Sequence, residues 1–190
     1  MNEAEEAFED FMEALDLDLD DEHMKETPER VARSRLNEIF SGLNEDPRKH
    51  LKTTFEDAGQ YRGDAGWVVE DSLQVQSMCA HHFLPIRGEA FVGYIPRDEV
   101  VGLSKLSRVV QGYSRRPQVQ ERLTNQIANA IYEELDAHSV IVLIKAEHMC
   151  MSFRGVQEPN SKTTTSALRG QARNEEHIKQ EFFDLIQREI

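Results

Sequence analysis

Two short stretches hold most of the side chains able to do chemistry. The first, "SMCAHHFLP" (77–85), sets Cys79 beside His81 and His82; the second, "AEHMCMSFRG" (146–155), sets His148 two residues before Cys150. These are the chain's only cysteines. The second stretch predicts a strand, in which residues i and i+2 share a face. If it lies near the first, four or five soft groups converge. Zinc takes thiolate and imidazole in tetrahedral geometry, and three protein ligands leave a fourth position for water. Cys79, His82 and Cys150 would form such a site, with His81 and His148 free beside it. Structural zinc fills all four positions, so two spare histidines favour catalysis. Taken singly, each residue is ordinary: a buried cysteine is a small hydrophobe. The weight comes from the pairing, which uses both cysteines.

A weaker signal concerns anions. "GLSKLSR" (102–108) places Ser104 and Lys105 at a helix start, with Arg108 one turn later. Helix N-termini bind anions through free N–H groups. The glycine spacing of a P-loop is absent, and alone this is an ordinary helix N-terminus. Arg154, just beyond Cys150, adds a cation; Arg115 and Arg116 either join it or are simply solvated. In "RPQVQERL" (116–123), Glu121 could accept hydrogen bonds from two adjacent donors, such as N1–H and the exocyclic amine of guanine. On spacing alone it merely favours the helix dipole.

Composition bounds the class. The chain has 190 residues, 39% hydrophobic and 30% charged, enough for one domain with a short appended segment. A formal charge of −13 argues against non-specific nucleic-acid binding. No apolar run approaches the roughly 18–20 residues of a membrane span. The acidic start "MNEAEEAFEDFMEALDLDLDD" is unlike a secretory signal, so a cytoplasmic chain is expected, with no disulfide. Acidic residues number 35 while lysine occurs seven times, a balance that suits concentrated salt as well as an ordinary acidic enzyme.

The elements that position these residues follow from periodicity. Ala4, Ala7, Phe8, Phe11, Met12 and Leu15 share a helical face. Thr27 as N-cap with Pro28 opens a second helix whose apolar face is Val31, Leu36, Ile39, Phe40 and Leu43. Alternation from Trp67 predicts a strand, and "RGEAFVGYIP" a second one pairing antiparallel with it. "LSKLSRVVQGYSR" and "PQVQERLTNQIANAIYEEL" read as helices, the latter started by Pro117 and buried along Leu123, Ile127, Ile131 and Leu135. "HSVIVLIKAEHMCMSFRG" and "SKTTTSALRG" read as strands. Residues 174–190 close with a helix using Ile178, Phe182, Leu185 and Ile186. The order is α+β, an antiparallel sheet with helices on one face. Residues 1–60 are expected as an N-terminal helical extension and 61–190 as the catalytic domain.

Together these segments resemble zinc-dependent (type IA) GTP cyclohydrolase I. The matching stretches are "TPERVA", "EIFSGL", "CAHHFLPIRGEAFVGYIP", "VVGLSKLSRVV", "RRPQVQERLTNQI", "AEHMCMSFRG" and "SKTTTSALRG", in the family's order over roughly residues 27–170. The resemblance implies the tunnelling fold, assembled as a homodecamer of two stacked pentamers with sites between subunits. It implies conversion of GTP and water to 7,8-dihydroneopterin triphosphate and formate, the first step of pterin and tetrahydrofolate biosynthesis. Cys79, His82 and Cys150 match the zinc ligands, and His81 and His148 the catalytic histidines. Glu121, with Gln120 beside it, matches the guanine anchor. Ser104, Lys105, Arg108 and Arg154 match triphosphate or ribose contacts, with Ser104 near the reacting sugar. Arg33 falls where the family often has a basic phosphate contact.

One departure is Ala80, where the family usually has glutamate. A carboxylate there could orient a neighbour, but no ligand is missing. Other tunnelling-fold enzymes fit less well: pyruvoyl-type tetrahydropterin synthases typically bind zinc with three histidines. A non-catalytic zinc module has no need of His81, His148 and Glu121.

Overall fold

The computed structural model describes residues 2–55 and 66–187. The boundary expected between 60 and 61 falls outside them, as do the last three residues of the expected closing helix. In chain order the elements are α1 (Asn2–Glu13), α2 (Thr27–Ser34), β1 (Thr54–Phe55), β2 (Val68–Cys79), β3 (Pro85–Ile95), β4 (Val100–Val101), α3 (Leu103–Ser114), β5 (Pro117–Gln118), α4 (Gln120–Glu134), β6 (Ser139–His148), α5 (Met149–Ser152), β7 (Thr163–Gly170) and α6 (Glu176–Gln187).

Five strands form the main sheet in the order β5-β2-β3-β6-β7. The β2–β3, β3–β6 and β6–β7 pairs are antiparallel, and β5 adds a short parallel pairing. Residues 90–95 of β3 and most of β6 are buried on both faces, which explains their nearly unbroken apolar runs. Ala90, Val92 and Tyr94 of β3, with Val142 and Ile144 of β6, meet Leu106, Val109 and Val110 of α3 and Leu123, Ile127 and Ile131 of α4. On the opposite face, Phe91 and Ile141 meet Phe182 and Ile186 of α6. Phe182 is fully buried against Trp67, ring centroids 5.4 Å apart. Truncating such a side chain to alanine costs about 3–5 kcal/mol.

The described N-terminal residues are tied to this core. Leu51 is 1% exposed within the main hydrophobic cluster. The guanidinium of Arg48 bridges Glu133 at 2.7 Å and Glu134 at 3.1 Å. The Gly42 N–H donates to the Arg115 carbonyl at 3.1 Å. A Cβ at Gly42 would collide with the Gly112 carbonyl, so glycine is what allows this segment to lie against the end of α3.

Several local expectations need correcting. Thr27 is already helical rather than the cap; Glu26 precedes the helix, because turns over 21–27 lead directly into it. The second helix does not run on to Leu43. It gives way to a π turn at Arg35–Ile39, closed by the Phe40 N–H on the Arg35 carbonyl at 2.9 Å, and then to a 3-10 segment. Leu36 and Leu43, expected on its buried face, are 40% and 60% exposed. Phe11 and Leu15 of the first apolar face are also exposed, as is Leu185 of the last. Pro117 does not start α4. It pairs with Met78 in β5, and the helix begins at Gln120. Strand β6 ends at His148, and Cys150 lies in the helical turn α5.

Candidate metal centre and active site

The connection between β2 and β3 is a tight turn that presents the first cluster. The Cys79 N–H donates to the Leu84 carbonyl at 2.8 Å, and the Phe83 N–H returns to the Cys79 carbonyl at 2.9 Å. Phe83 closes the turn with a φ of 52°, in the left-handed region. On the outer side, Cys79 is the register partner of Gln118 in β5. Cys79 is buried, whereas His81 and His82 project into the open.

The second cluster arrives on β6, whose pairing with β3 sets His148 opposite Ile86. Cys150 follows in α5. Ligand atoms of Cys79, His82 and Cys150 lie within 4.8 Å of one another, and Cys79 Sγ is 3.9 Å from His82 Nδ1. Zinc bonds of about 2.0–2.3 Å at tetrahedral angles place neighbouring ligand atoms about 3.3–3.8 Å apart. The trio therefore fits a divalent cation of that kind with little movement. Burial pushes the Cys150 thiol up, and the neighbouring Cys79 thiol adds to this, while the positive charge of Arg154 opposes it. A cation among the three would outweigh both raising effects.

His81 is close by, its Nδ1 also 3.9 Å from Cys79 Sγ, its ring edge-on to that of His82. His148 is half-buried. Burial lowers its pKa below the ordinary histidine range, and the nearby Glu121 carboxylate partly opposes that shift. Glu121 sits exposed in the first turn of α4. The site thus joins three metal-competent atoms, two further imidazoles, one carboxylate and the Arg154 cation.

A family model described as GTP cyclohydrolase I matches residues 4–187. The chain belongs to the GTP cyclohydrolase I family. A GTP cyclohydrolase 1 of Carboxydothermus hydrogenoformans is 51% identical over 160 residues, covering 84% of this chain and 80% of that protein. The one from Desulforamulus reducens is 47% identical over 183 residues, 96% of this chain and 95% of that protein. That of Bacillus subtilis is 44% identical over 186 residues, 97% and 95%. The α+β tunnelling fold expected from the sequence is the fold of this family.

Not all residues expected at a cyclohydrolase site meet in one chain. The Ser77 hydroxyl donates to the Arg116 carbonyl at 3.1 Å, so the C-terminal end of α3 lies beside the metal turn. Ser104 and Lys105 open the same twelve-residue helix at its other end, roughly 15 Å further along at 1.5 Å per residue. Arg108, between them, lines a cleft of about 360 Å³ with His50, Glu45 and Arg115. Arg33 is exposed and faces Glu29 at 3.8 Å.

Gln120, expected beside the substrate, is 1% exposed, and its amide is engaged inside the protein. Gln118 had no expected role. Its Nε2 donates to the Tyr113 carbonyl and to Gln126 Oε1, both at 2.9 Å, and its Oε1 accepts from Arg122 Nε at 2.9 Å. These bonds tie β5 to the end of α3 and to α4, while its pairing with Met78 and Cys79 joins it to β2. Pro117, breaking the helical pattern just before it, was the one sequence sign of such a segment.

Proposed function

We propose that this chain is a zinc-dependent GTP cyclohydrolase I that converts GTP and water to formate and 7,8-dihydroneopterin triphosphate. The observation that carries the reading is the convergence of Cys79, His82 and Cys150, with His81, His148 and Glu121 around them, in a chain of this family. Cys79, His82 and Cys150 would hold zinc, which when bound supplies the Lewis acidity that brings the pKa of water toward neutrality.

The chain's own residues supply the rest. The Glu121 carboxylate accepts from guanine N1–H and the exocyclic amine, fixing the purine so that C8 faces the metal trio. His148 gives a proton to N7 as water adds to C8 and the imidazole ring opens. Imidazole suits this because its unperturbed pKa is near neutrality. His81 moves protons in the later release of formate or opening of the ribose. Ser104 sits near the sugar, and Lys105, Arg108, Arg154 and Arg33 neutralise the triphosphate. A protein of charge −13 needs such a local group of cations to hold a polyanion.

The acting unit is a homo-oligomer, a decamer of two stacked pentamers with sites between neighbours. Three observations support this. Ser104 and Lys105 lie a helix length from Cys79 within one chain. Among the described residues, the outer edge of β7 pairs with no strand, and β2 meets β5 only at Met78 and Cys79. Such edges are usually covered or paired. Phe83, Phe153 and Val156 near the site, and Phe11, Leu15 and Leu43 in the N-terminal segment, stand exposed. Residues 1–60 act as a helical extension to the catalytic unit of 61–190. Among the described residues no helix is long and apolar enough to cross a membrane, in keeping with work in the cytoplasm at the head of pterin and tetrahydrofolate synthesis.

Zinc-loaded protein incubated with GTP should produce formate together with pterin absorbance, and the Cys150→Ala variant should produce neither. A folded, metal-loaded protein that leaves GTP intact refutes the reading.

A further inference from the structure

Gln120 begins a helix and yet is 1% exposed. Its Nε2 lies 3.0 Å from the Ile144 carbonyl oxygen, 3.0 Å from that of Thr163 and 3.1 Å from Thr165 Oγ1. Two of these partners are backbone carbonyls, which only accept. The amide nitrogen must therefore face them, since exchanging N and O would set one carbonyl oxygen against two others. The orientation of this amide is fixed by its surroundings. Its oxygen then points the other way, 2.6 Å from His148 Nε2. An amide oxygen cannot donate, so His148 Nε2 must carry the hydrogen.

We infer that Gln120 is a positioning residue that holds His148 in its Nε2–H tautomer, so that proton transfer at this histidine passes through Nδ1. In the neutral ring Nδ1 keeps the lone pair. A proton taken up at Nδ1 gives the imidazolium; delivered to an acceptor, it returns the ring to the same Nε2–H form. The bond to Gln120 persists through both states, so neither the ring's orientation nor its tautomer has to be re-established each turnover. The Gln120 amide, engaged at both ends, acts through His148 rather than by touching a substrate. β6 and β7 impose this, because the clamp consists of their Ile144, Thr163 and Thr165 oxygens.

The inference takes guanine N7 as acceptor from the proposed function, but the tautomer itself is measurable without turnover. Nitrogen-15 solid-state NMR of histidine-labelled protein at mildly alkaline pH would show it, with the His148 signals assigned by their loss in His148→Ala. A protonated Nε2 and bare Nδ1 are expected; the opposite tautomer overturns the inference. Gln120→Met keeps the length and removes the acceptor. It should lower kcat by on the order of 100-fold with KM changed by less than about threefold. In a His148→Ala background the same change should cost less than about threefold, because coupled residues are not additive. Full additivity, or a raised KM with kcat intact, overturns the inference. Wild-type protein with the expected tautomer but no reaction on GTP would count against the proposed activity and leave the positioning role supported.

Discussion

The Gln118 carbonyl accepts a hydrogen bond from the Ala80 N–H at 2.9 Å, fastening the Cys-Ala-His-His turn to the segment that leads into α4. Both ends of the proposed chemistry hang on that segment. The metal turn lies on one side, and Gln120 and Glu121 begin the helix two residues later.

Gln118→Ala should loosen it. The change removes three side-chain hydrogen bonds and leaves the buried Tyr113 carbonyl short of a donor. At about 1 kcal/mol for each bond, the loss is on the order of 2–3 kcal/mol. Thermal denaturation would read this as a clear fall in Tm, and metal affinity should weaken with it although no ligand is altered. An unchanged Tm would show that β5 is held by its strand pairing alone.

Metal removal should act on the site more than on the fold. Cys150 is only part-buried and packs at the edge of the core that holds the fully buried Ile127, Val142 and Ile144. Cys150→Ala and His82→Ala should therefore lose most bound zinc, measured by elemental analysis, while circular dichroism stays that of the parent. Retention of one zinc per chain in either variant would remove that residue from the ligand set.

The proposed division of the site between neighbours predicts complementation. Lys105→Ala and His148→Ala should each be nearly inactive alone. Mixed oligomers prepared from equal amounts should regain about a quarter of the parent activity, since one site in four draws an intact Lys105 from one subunit and an intact His148 from another. No recovery in verified mixed oligomers would place both residues in a site formed by one chain.

Tyr94 gives a pH prediction. Its hydroxyl, fully buried, accepts from the Val101 N–H at 3.0 Å, and burial raises its pKa above the ordinary tyrosine range, the Val101 bond partly opposing this. A raised folded-state pKa means the folded chain holds the proton more tightly. Its contribution is thus complete below about pH 10, the unfolded value, and is lost as pH rises through the folded one. Tyr94→Phe should cost about 1–3 kcal/mol at neutral pH by orphaning the Val101 N–H, and should flatten the alkaline fall in stability. Parallel stability curves for the two proteins would contradict this.

The elements legible in the sequence were those whose signals are local. The β2–β3 hairpin, α3 and the Leu123–Ile127–Ile131–Leu135 stripe along α4 follow from periodicity, β7 from strand propensity, and the two Cys/His stretches from composition. What escaped depends on distant partners. Pro117 suits a helix start and an edge strand alike, and the choice is made by Met78 across the sheet. Strand alternation would set His148 and Cys150 on one face, but the chain turns into α5 between them and a helical turn brings the thiol round. The place of Gln120 is set by Ile144, Thr163 and Thr165, far away in sequence, so nothing beside it reveals its task.

The most direct test follows the fate of C8. Zinc-loaded protein is given GTP carrying isotopic carbon at that position, and formate and pterin are quantified together. The account predicts that the label leaves as formate in equal amount with 7,8-dihydroneopterin triphosphate, and that Cys150→Ala and His148→Ala release none. Label retained in an intact purine, or released equally by His148→Ala, would contradict it.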